Sequence, residues 1–160
     1  MIKLGIFAPA SGLFSCPLAM TDGAARTIEA VGQVDALEEA YANLTSRDPH
    51  RFWTSGQWMT EKAGGSDVSQ ATETVALPTD QKDVYKLHGY KWFSSATDSD
   101  MTLLLAHVLD EEGEKKGLSM FYGKTRKDNG TLNGIEVVKL KNKLGTRQLP
   151  TGELQLVVSN

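Results

Sequence analysis

Two stretches of the chain decide its fold: Trp58-Met59-Thr60-Glu61-Lys62-Ala63-Gly64-Gly65-Ser66-Asp67, and further on Lys91-Trp92-Phe93-Ser94. In the first, adjacent glycines leave backbone N–H groups open to close approach, and Thr60 and Ser66 add hydroxyl donors. The second ends a strand-like run with an indole and a hydroxyl, groups that stack on and hydrogen-bond to a heteroaromatic ring. Neither stretch has the composition of a packed core. Together they predict a loop and a strand end that contact a large, polar, anionic ligand.

The sequence around these stretches has the two-residue period of β-strands. Seven strands are predicted, at about 56–60, 72–77, 84–93, 101–109, 117–123, 135–141 and 153–158. Clusters of Pro, Gly, Asp and Asn mark turns between them. The run 101–105 is apolar on both faces, which predicts a central strand. Short strands at regular intervals indicate a mainly β fold, an antiparallel sandwich or open barrel.

The first fifty residues have a helical period instead. One helix is predicted at about 21–31, with Thr21 as its N-cap and Gly32 as its C-terminal stop. A second is predicted at about 34–44, where apolar residues recur at helical spacing. The polar segment 45–50 contains a proline and predicts a turn. The sequence therefore divides into a part with one or two short helices, residues 1–50, and a β-domain, residues 51–160.

Composition argues against several classes of function. A chain of 160 residues with 40% hydrophobic and 23% charged residues is typical of one soluble globular domain. A formal net charge of −3 argues against nucleic-acid binding. A local basic cluster is interpreted as the solvated face of a strand; it consists of Lys139, Lys141, Lys143 and Arg147. No apolar run approaches the roughly 20 residues that span a bilayer.

Several kinds of site have no support in the sequence. A single cysteine, Cys16, excludes an internal disulfide and fits a reducing compartment. The three histidines are far apart, which predicts no metal site. Glu61 and Asp67 could serve as acid–base groups, but each lies beside loop backbone, where capping is the commoner use. The motifs of a nucleophile elbow, a Rossmann loop and a P-loop are missing.

The two stretches, in this order, resemble the flavin-contacting strings in the middle domain of the acyl-CoA dehydrogenases. The family pattern is an aromatic or apolar residue, Thr-Glu, two variable residues, Gly and Ser-Asp, followed later by Trp-x-Thr/Ser. The resemblance continues through residues 15–21 and 143–147 and covers nearly the whole chain. Glu61-Lys62 and the segments 16–20 and 145–150 resemble the branch that includes the bacterial alkylation-response dehydrogenase and its eukaryotic relatives.

The resemblance implies that residues 51–160 are the flavin-contacting β-domain and that residues 1–50 are a remnant of the family's N-terminal helical domain. It implies FAD as cofactor, with nine binding residues: Gln57, Trp58, Met59, Thr60, Gly65, Ser66, Trp92, Phe93 and Ser94. Thr60 would face the pyrimidine edge of the flavin, and Trp92 would lie near its ring. Ser94 would hydrogen-bond to N5, the atom that accepts the hydride. Ser66 would also bind substrate, because it would lie at the FAD pyrophosphate or the acyl-CoA thioester.

Each of these residues also has a structural interpretation. Taken alone, the glycine-rich loop would be a β-turn with a capping Ser-Asp, and Trp92 would be a core residue at a strand end. The matching context around Trp92 favours the flavin interpretation there. That context is missing at Trp53 and Trp58, for which packing is favoured, so the sequence leaves both interpretations of Trp58 open.

The resemblance implies α,β-dehydrogenation of acyl-CoA thioesters by a homo-oligomer. The family occurs in mitochondria, peroxisomes and cytoplasm, so the resemblance leaves the compartment open, with mitochondria or cytoplasm favoured. In the family the catalytic base is a glutamate on a C-terminal helical domain, so we assign no catalytic residue within this chain. One hypothesis is that the chain is the FAD-binding portion of such an oxidoreductase, catalytically incomplete and weak in retaining FAD. The alternative is a non-catalytic β-module that binds an acyl lipid or a protein.

Overall fold

A seven-stranded sheet organises the fold in a computed structural model that describes residues 2–32, 35–110 and 112–157. The strands are β1 (Ser55–Trp58), β2 (Val75–Pro78), β3 (Tyr85–Ser95), β4 (Met101–Leu109), β5 (Lys115–Lys124), β6 (Ile135–Leu140) and β7 (Thr151–Leu156). All seven predicted strands are present, and the fold is mainly β as predicted. The predicted end of the last strand, Val158, lies outside the described residues.

Strand β4 is the centre of the sheet. Along one edge, β1 lies parallel to Met101–Leu104 and β2 lies parallel to His107 and Val108. Strand β5 pairs antiparallel with β4, and the path from β2 continues through β3 and β7 to β6 with antiparallel pairing. The predicted central strand at 101–105 is therefore confirmed.

The sheet is mixed, so the predicted antiparallel architecture is correct only for part of it. Turn signals encode the direction of strands that follow one another, such as the hairpin of β4 and β5. Strands β1 and β2 pair with β4, which is not their neighbour in the chain. Local turn chemistry therefore carries no information about the direction of those two pairings.

The described residues form four α-helices beside the sheet: α1 (Ile2–Phe7), α2 (Ser15–Val31), α3 (Asp35–Leu44) and α4 (Val68–Ala71). The prediction of Thr21 as an N-cap is wrong, because α2 begins at Ser15 and Thr21 lies inside it. Its hydroxyl donates to the carbonyl of Pro17 at 2.8 Å and accepts the N–H of Ser55 at 3.0 Å, which ties α2 to β1. Gly32 ends α2 with a φ of 93°, as predicted.

The predicted start of the second helix, Val34, lies outside the described residues. Its observed range, Asp35–Leu44, confirms the rest of the prediction. The sequence does not predict helices α1 and α4. No helix in the described part of the chain has the length and apolar character needed to cross a membrane.

The helices and the sheet share a hydrophobic core. Ala24 and Ile28 of α2 and Ala40 of α3 pack with Met101 and Leu103 of β4. A second cluster, on the opposite face of β4, contains Trp58, Leu104, Leu154 and Leu156. This alternation along β4 follows from the period of a strand. The helical part therefore packs directly on the sheet, while the division into domains at residue 50 stays a prediction.

Candidate flavin-facing site

The fold brings the two predicted stretches together. The backbone N–H of Trp92 in β3 donates to the carbonyl of Thr60 at 3.0 Å, so β3 runs beside the loop that follows β1. Met59 and Thr60 are half-buried there, whereas Gly65 and Ser66 are exposed. The loop therefore presents its glycine and serine to solvent and fixes its first residues against the strand that carries Trp92.

Glu61 anchors this loop from the inside. Its side chain is 3% exposed, and its carboxylate is 2.6 Å from the Nζ of Lys91, which is fully buried. The carboxylate also accepts the hydroxyl of Thr74 at 2.5 Å and the N–H of Glu73 at 2.7 Å. Lys91 donates in addition to the carbonyl of Leu105 at 2.8 Å. Such further hydrogen bonds offset the loss of hydration of the two charges.

The environment of Glu61 keeps its carboxyl ionised. Burial raises the pKa of this carboxyl, but the hydrogen bonds from Lys91 and Thr74 and from the N–H of Glu73 more than reverse that effect. The pKa of Glu61 therefore lies below its ordinary value. A carboxylate that is buried, ionised and bound to so many donors is suited to holding the loop rather than to accepting a proton from a substrate.

Small residues determine how the loop closes. A Cβ at Gly64 would lie 2.1 Å from the Cβ of Ala71 and 2.8 Å from the carbonyl oxygen of Asp67, so no side chain fits there. At Gly65 the same atom would meet nothing within 4 Å. Asp67 accepts the N–H of Gln70 at 3.1 Å and caps α4, the use that sequence favoured for it. Gly64 is thus required by packing, whereas Gly65 leaves the backbone open to a ligand.

The indole of Trp58 belongs to the core. It is fully buried, it packs with Leu104 and Leu154, and its Nε1–H donates to the carbonyl of Ser95 at 2.9 Å. Of the two interpretations of Trp58, the structure supports packing, and any contact with a cofactor is limited to its backbone. Gln57, one residue earlier in β1, is exposed.

A β-bulge in β3 sets the direction of the second stretch. The register with β7 shifts between Lys91 and Ser94, so both of these residues point inward although their spacing would place them on opposite faces. Phe93 is 44% exposed and Trp92 is partly buried. The bulge therefore turns Trp92 and Phe93 outward together, between two inward side chains.

The hydroxyl of Ser94 is buried and has no hydrogen-bond partner within the described part of the chain. An unpartnered buried hydroxyl costs about 1–3 kcal/mol, so this atom fits a partner that the polypeptide does not supply. Ser94 has no solvent-exposed surface.

Two cations lie close to the Trp92 ring. The Nζ of Lys141 is 3.4 Å from the ring centroid, and that of Lys62 is 5.4 Å away.

Lys141 also forms an ion pair with Glu153 at 2.9 Å, and Lys143 donates to the carbonyl of Leu149 at 2.7 Å. The interpretation of these two lysines as part of a solvated face is therefore wrong. Their two-residue spacing predicts that both lysines lie on the same face of the strand. The spacing does not show whether that face is exposed to solvent or packed against other residues.

Sequence reasoning missed Lys91 as an anchor, although a signal was present. Leu87, Gly89 and Lys91 alternate along β3, which places the lysine on the inward side of the strand. Tyr90, Lys141 and Glu153 were also missed, because they come together only through the pairing of β3 with β7 and of β7 with β6. These pairings join residues that are far apart in the sequence, so local sequence patterns do not reveal them.

One cavity lies away from the flavin-facing stretches, and the described residues contain no metal-binding group. A cavity of about 540 Å³ between α2 and α3 is lined by Ile28, Leu37 and Tyr41 among others, and by none of the predicted site residues. Within the described residues, no group of three or more His, Cys, Asp or Glu side chains could hold a metal ion.

The model of the family "Acyl-CoA dehydrogenase, middle domain" matches residues 56–157. The chain belongs to the acyl-CoA dehydrogenase family. It is 55% identical over 161 aligned positions to Acyl-CoA dehydrogenase family member 11 of Caenorhabditis elegans, covering 96% of this chain and 26% of that protein. It is 38% identical over 100 positions to the acyl-CoA dehydrogenase homologue AidB of Escherichia coli K12, covering 62% of this chain and 17% of that protein. These matches confirm the predicted branch, and the chain spans about a quarter or less of each of these relatives.

Solved structures of acyl-CoA dehydrogenases have the same fold. Caenorhabditis elegans ACDH-11 in complex with C11-CoA superposes with a TM-score of 0.93 at 54% identity, over 96% of this chain and 27% of that one. The glutaryl-coenzyme A dehydrogenase complex with glutaryl-CoA superposes with a TM-score of 0.69 at 30% identity, over 91% of this chain and 34% of that one.

Proposed function

We propose that this member of the acyl-CoA dehydrogenase family forms the FAD-facing part of an oxidoreductase that acts on acyl-CoA thioesters. The observation that carries the proposal is the buried hydroxyl of Ser94, which has no hydrogen-bond partner among the described residues. It lies two residues from Trp92, whose N–H binds the carbonyl of Thr60. When bound, FAD would supply the acceptor for the hydride that leaves the β-carbon of the substrate. The residues of this chain bind and orient that group.

The proposed roles follow from exposure and chemistry. Thr60 and the backbone of Trp58 and Met59 line one edge of the flavin, and Gln57 lies at the entry to the loop. Trp92 and Phe93 are the outward aromatic side chains, which provide a surface for stacking. Ser94 donates to or accepts from a ring nitrogen. Gly65 and Ser66 offer exposed donors to an anionic group, either the FAD pyrophosphate or the acyl-CoA thioester end.

The catalytic base of this proposal comes from outside the described residues. Within the two stretches and around Trp92, the carboxylates already have partners. Glu61 is bound to Lys91, Asp67 caps α4, and Glu153 is bound to Lys141 and to the hydroxyl of Tyr90. The complex of ACDH-11 with C11-CoA supports an acyl-CoA thioester as the class of substrate.

The first prediction is that the 160-residue chain binds FAD in a fluorescence titration but loses it during gel filtration. Ser94→Ala is expected to weaken this binding by about 2- to 10-fold, the value of one neutral hydrogen bond. The variant should not destabilise the chain without FAD, because within residues 2–32, 35–110 and 112–157 the hydroxyl has no hydrogen-bond partner to lose.

Ser99→Ala is the matched control. Ser99 is also buried, but its hydroxyl donates to the carbonyl of Met101 at 2.9 Å, so its removal should lower stability by about 1 kcal/mol and leave FAD affinity unchanged. Equal FAD affinity of Ser94→Ala and the wild type would contradict the role of Ser94. A wild-type chain that binds no FAD would contradict the proposed function.

The second candidate function is acyl-lipid binding without turnover, which the engaged carboxylates favour. We expect the purified chain loaded with FAD to bind undecanoyl-CoA in a calorimetric titration. In a ferricenium assay, the loaded chain should reduce ferricenium no faster in the presence of this thioester than in its absence. A full-length acyl-CoA dehydrogenase is the positive control. Turnover by the 160-residue chain would show that a base is present within it.

A further inference from the structure

Three side chains from different parts of the sheet form a network that reaches the Trp92 indole through Lys141. Lys141, directly after β6, has its Nζ 3.4 Å from the Trp92 ring centroid and 2.9 Å from the Oε1 of Glu153 in β7. The other carboxylate oxygen of Glu153 accepts the hydroxyl of Tyr90 in β3 at 2.6 Å. The backbone N–H of Lys141 donates to the carbonyl of Thr151 at 2.8 Å, which fixes the start of the lysine side chain.

This network is shielded from water. The side chains of Lys141 and Glu153 are 13% and 11% exposed. The hydrogen bonds from Tyr90 and Lys141 hold the pKa of Glu153 below its ordinary value, so the carboxylate that carries the lysine stays ionised. A cation on the face of an indole is attracted by the ring, and the attraction is stronger when water is excluded from the contact. Lys62, by contrast, is an exposed lysine at a longer distance from the ring.

The contact restricts the ring of a residue that is only partly buried. The backbone of Trp92 is held by its bond to Thr60, but that bond does not determine how the indole turns about its side-chain torsions. An ammonium group 3.4 Å from the ring centroid favours the orientation in which the ring face is turned toward the cation.

We infer that Lys141 is a positioning residue that, held by Glu153, sets the plane of the Trp92 indole on which a flavin stacks. The inference rests on the proposed function for FAD. It adds a residue that lies outside both flavin-facing stretches and reaches the site only through the pairing of β6 with β7.

The test compares Lys141→Met, Lys141→Arg and Lys139→Met in the 160-residue chain. Lys141→Met is expected to weaken FAD binding by about 3- to 10-fold and to change the near-UV circular dichroism of the apo chain. In a Trp92→Phe background this spectral change should disappear. The FAD affinity of two variants should stay within about twofold of the wild type: Lys141→Arg, which keeps the cation, and Lys139→Met, which removes an exposed charge two residues earlier, at the end of β6.

Each outcome decides the inference. If the wild type binds FAD and Lys141→Met binds it equally well, Lys141 has no positioning role and the proposed function stands. If Lys139→Met weakens FAD binding as much as Lys141→Met does, the effect comes from the loss of any nearby positive charge, and the inference is overturned. If the wild type binds no FAD, both proposals fail. Should Lys141→Met not fold, Glu153→Gln replaces it: weaker FAD binding supports the inference and unchanged binding overturns it.

Discussion

Replacing Lys91 with methionine is expected to lower the free energy of unfolding by about 3–5 kcal/mol, because it leaves the Glu61 carboxylate buried without its cation. Urea denaturation of the wild type and the variant measures this difference. Lys82→Met is the matched control. Lys82 is 92% exposed in its ion pair with Asp83, and its loss should change stability by no more than about 0.5 kcal/mol.

The double variant Lys91→Met/Glu61→Gln separates the cost of the unpaired charge from the loss of packing. The glutamine side chain would keep an acceptor for the hydroxyl of Thr74 and remove the charge, so the double variant should be more stable than Lys91→Met alone. A Lys91→Met variant within about 1 kcal/mol of the wild type would contradict the buried ion pair.

The sign of the pH dependence provides a second check on the same variant. In the wild type the folded pKa of Glu61 is below its ordinary value of 4.5, so its stabilisation is present above that pH and is lost as pH falls through the folded pKa. In Lys91→Met the pKa should instead be raised by burial, and the folded variant should take up a proton above pH 4.5. The stability gap between the two proteins should therefore narrow as pH falls from neutral toward 4.5.

The two tryptophans of the flavin-facing stretches should differ sharply when truncated. Trp58→Ala is expected to lower the free energy of unfolding by about 3–5 kcal/mol, because the indole is fully buried and its Nε1–H is bound to Ser95. Trp92→Ala should cost at most about 2 kcal/mol, since that side chain is only partly buried. FAD affinity should follow the opposite order, with loss of binding in Trp92→Ala.

Urea denaturation and FAD titration of both variants test this contrast. Comparable losses of stability would mean that Trp92 is as much a core residue as Trp58. Retained FAD affinity in Trp92→Ala would remove the stacking role of Trp92 and favour the structural interpretation of that tryptophan.

Local patterns predicted most of the elements of this fold. The two-residue period located all seven strands, and the stripe of apolar residues located α3. The pairing of the loop with Trp92 could also be expected, because both stretches match one family pattern in the same order. These features depend on residues that are close together in the sequence.

The remaining features depend on long-range pairing. The direction of β1 and β2 beside β4 is not encoded in any single turn, and the β-bulge that turns Ser94 inward interrupts the alternation on which sequence reasoning relies. Lys141 was assigned to solvent because its partners, Trp92 and Glu153, belong to other strands. Charged residues of this kind can be placed only when the neighbouring strands are known.

The arrangement of β1 and β2 along one edge of β4 has a consequence for how the ligand-facing loop can vary. Segment 59–74 leaves the sheet opposite Leu104 and returns opposite His107, so its two ends lie only about 10 Å apart, at about 3.3 Å for each strand residue. The pairing of β1 and β2 with β4 holds the two ends of this loop together, so it offsets the entropic cost of closing the loop before any ligand binds. A longer loop would add little to that entropic cost. Insertions could therefore be placed between Glu61 and Thr74 without rebuilding the scaffold, provided that Thr74 and Glu61, the buried partner of Lys91, are kept.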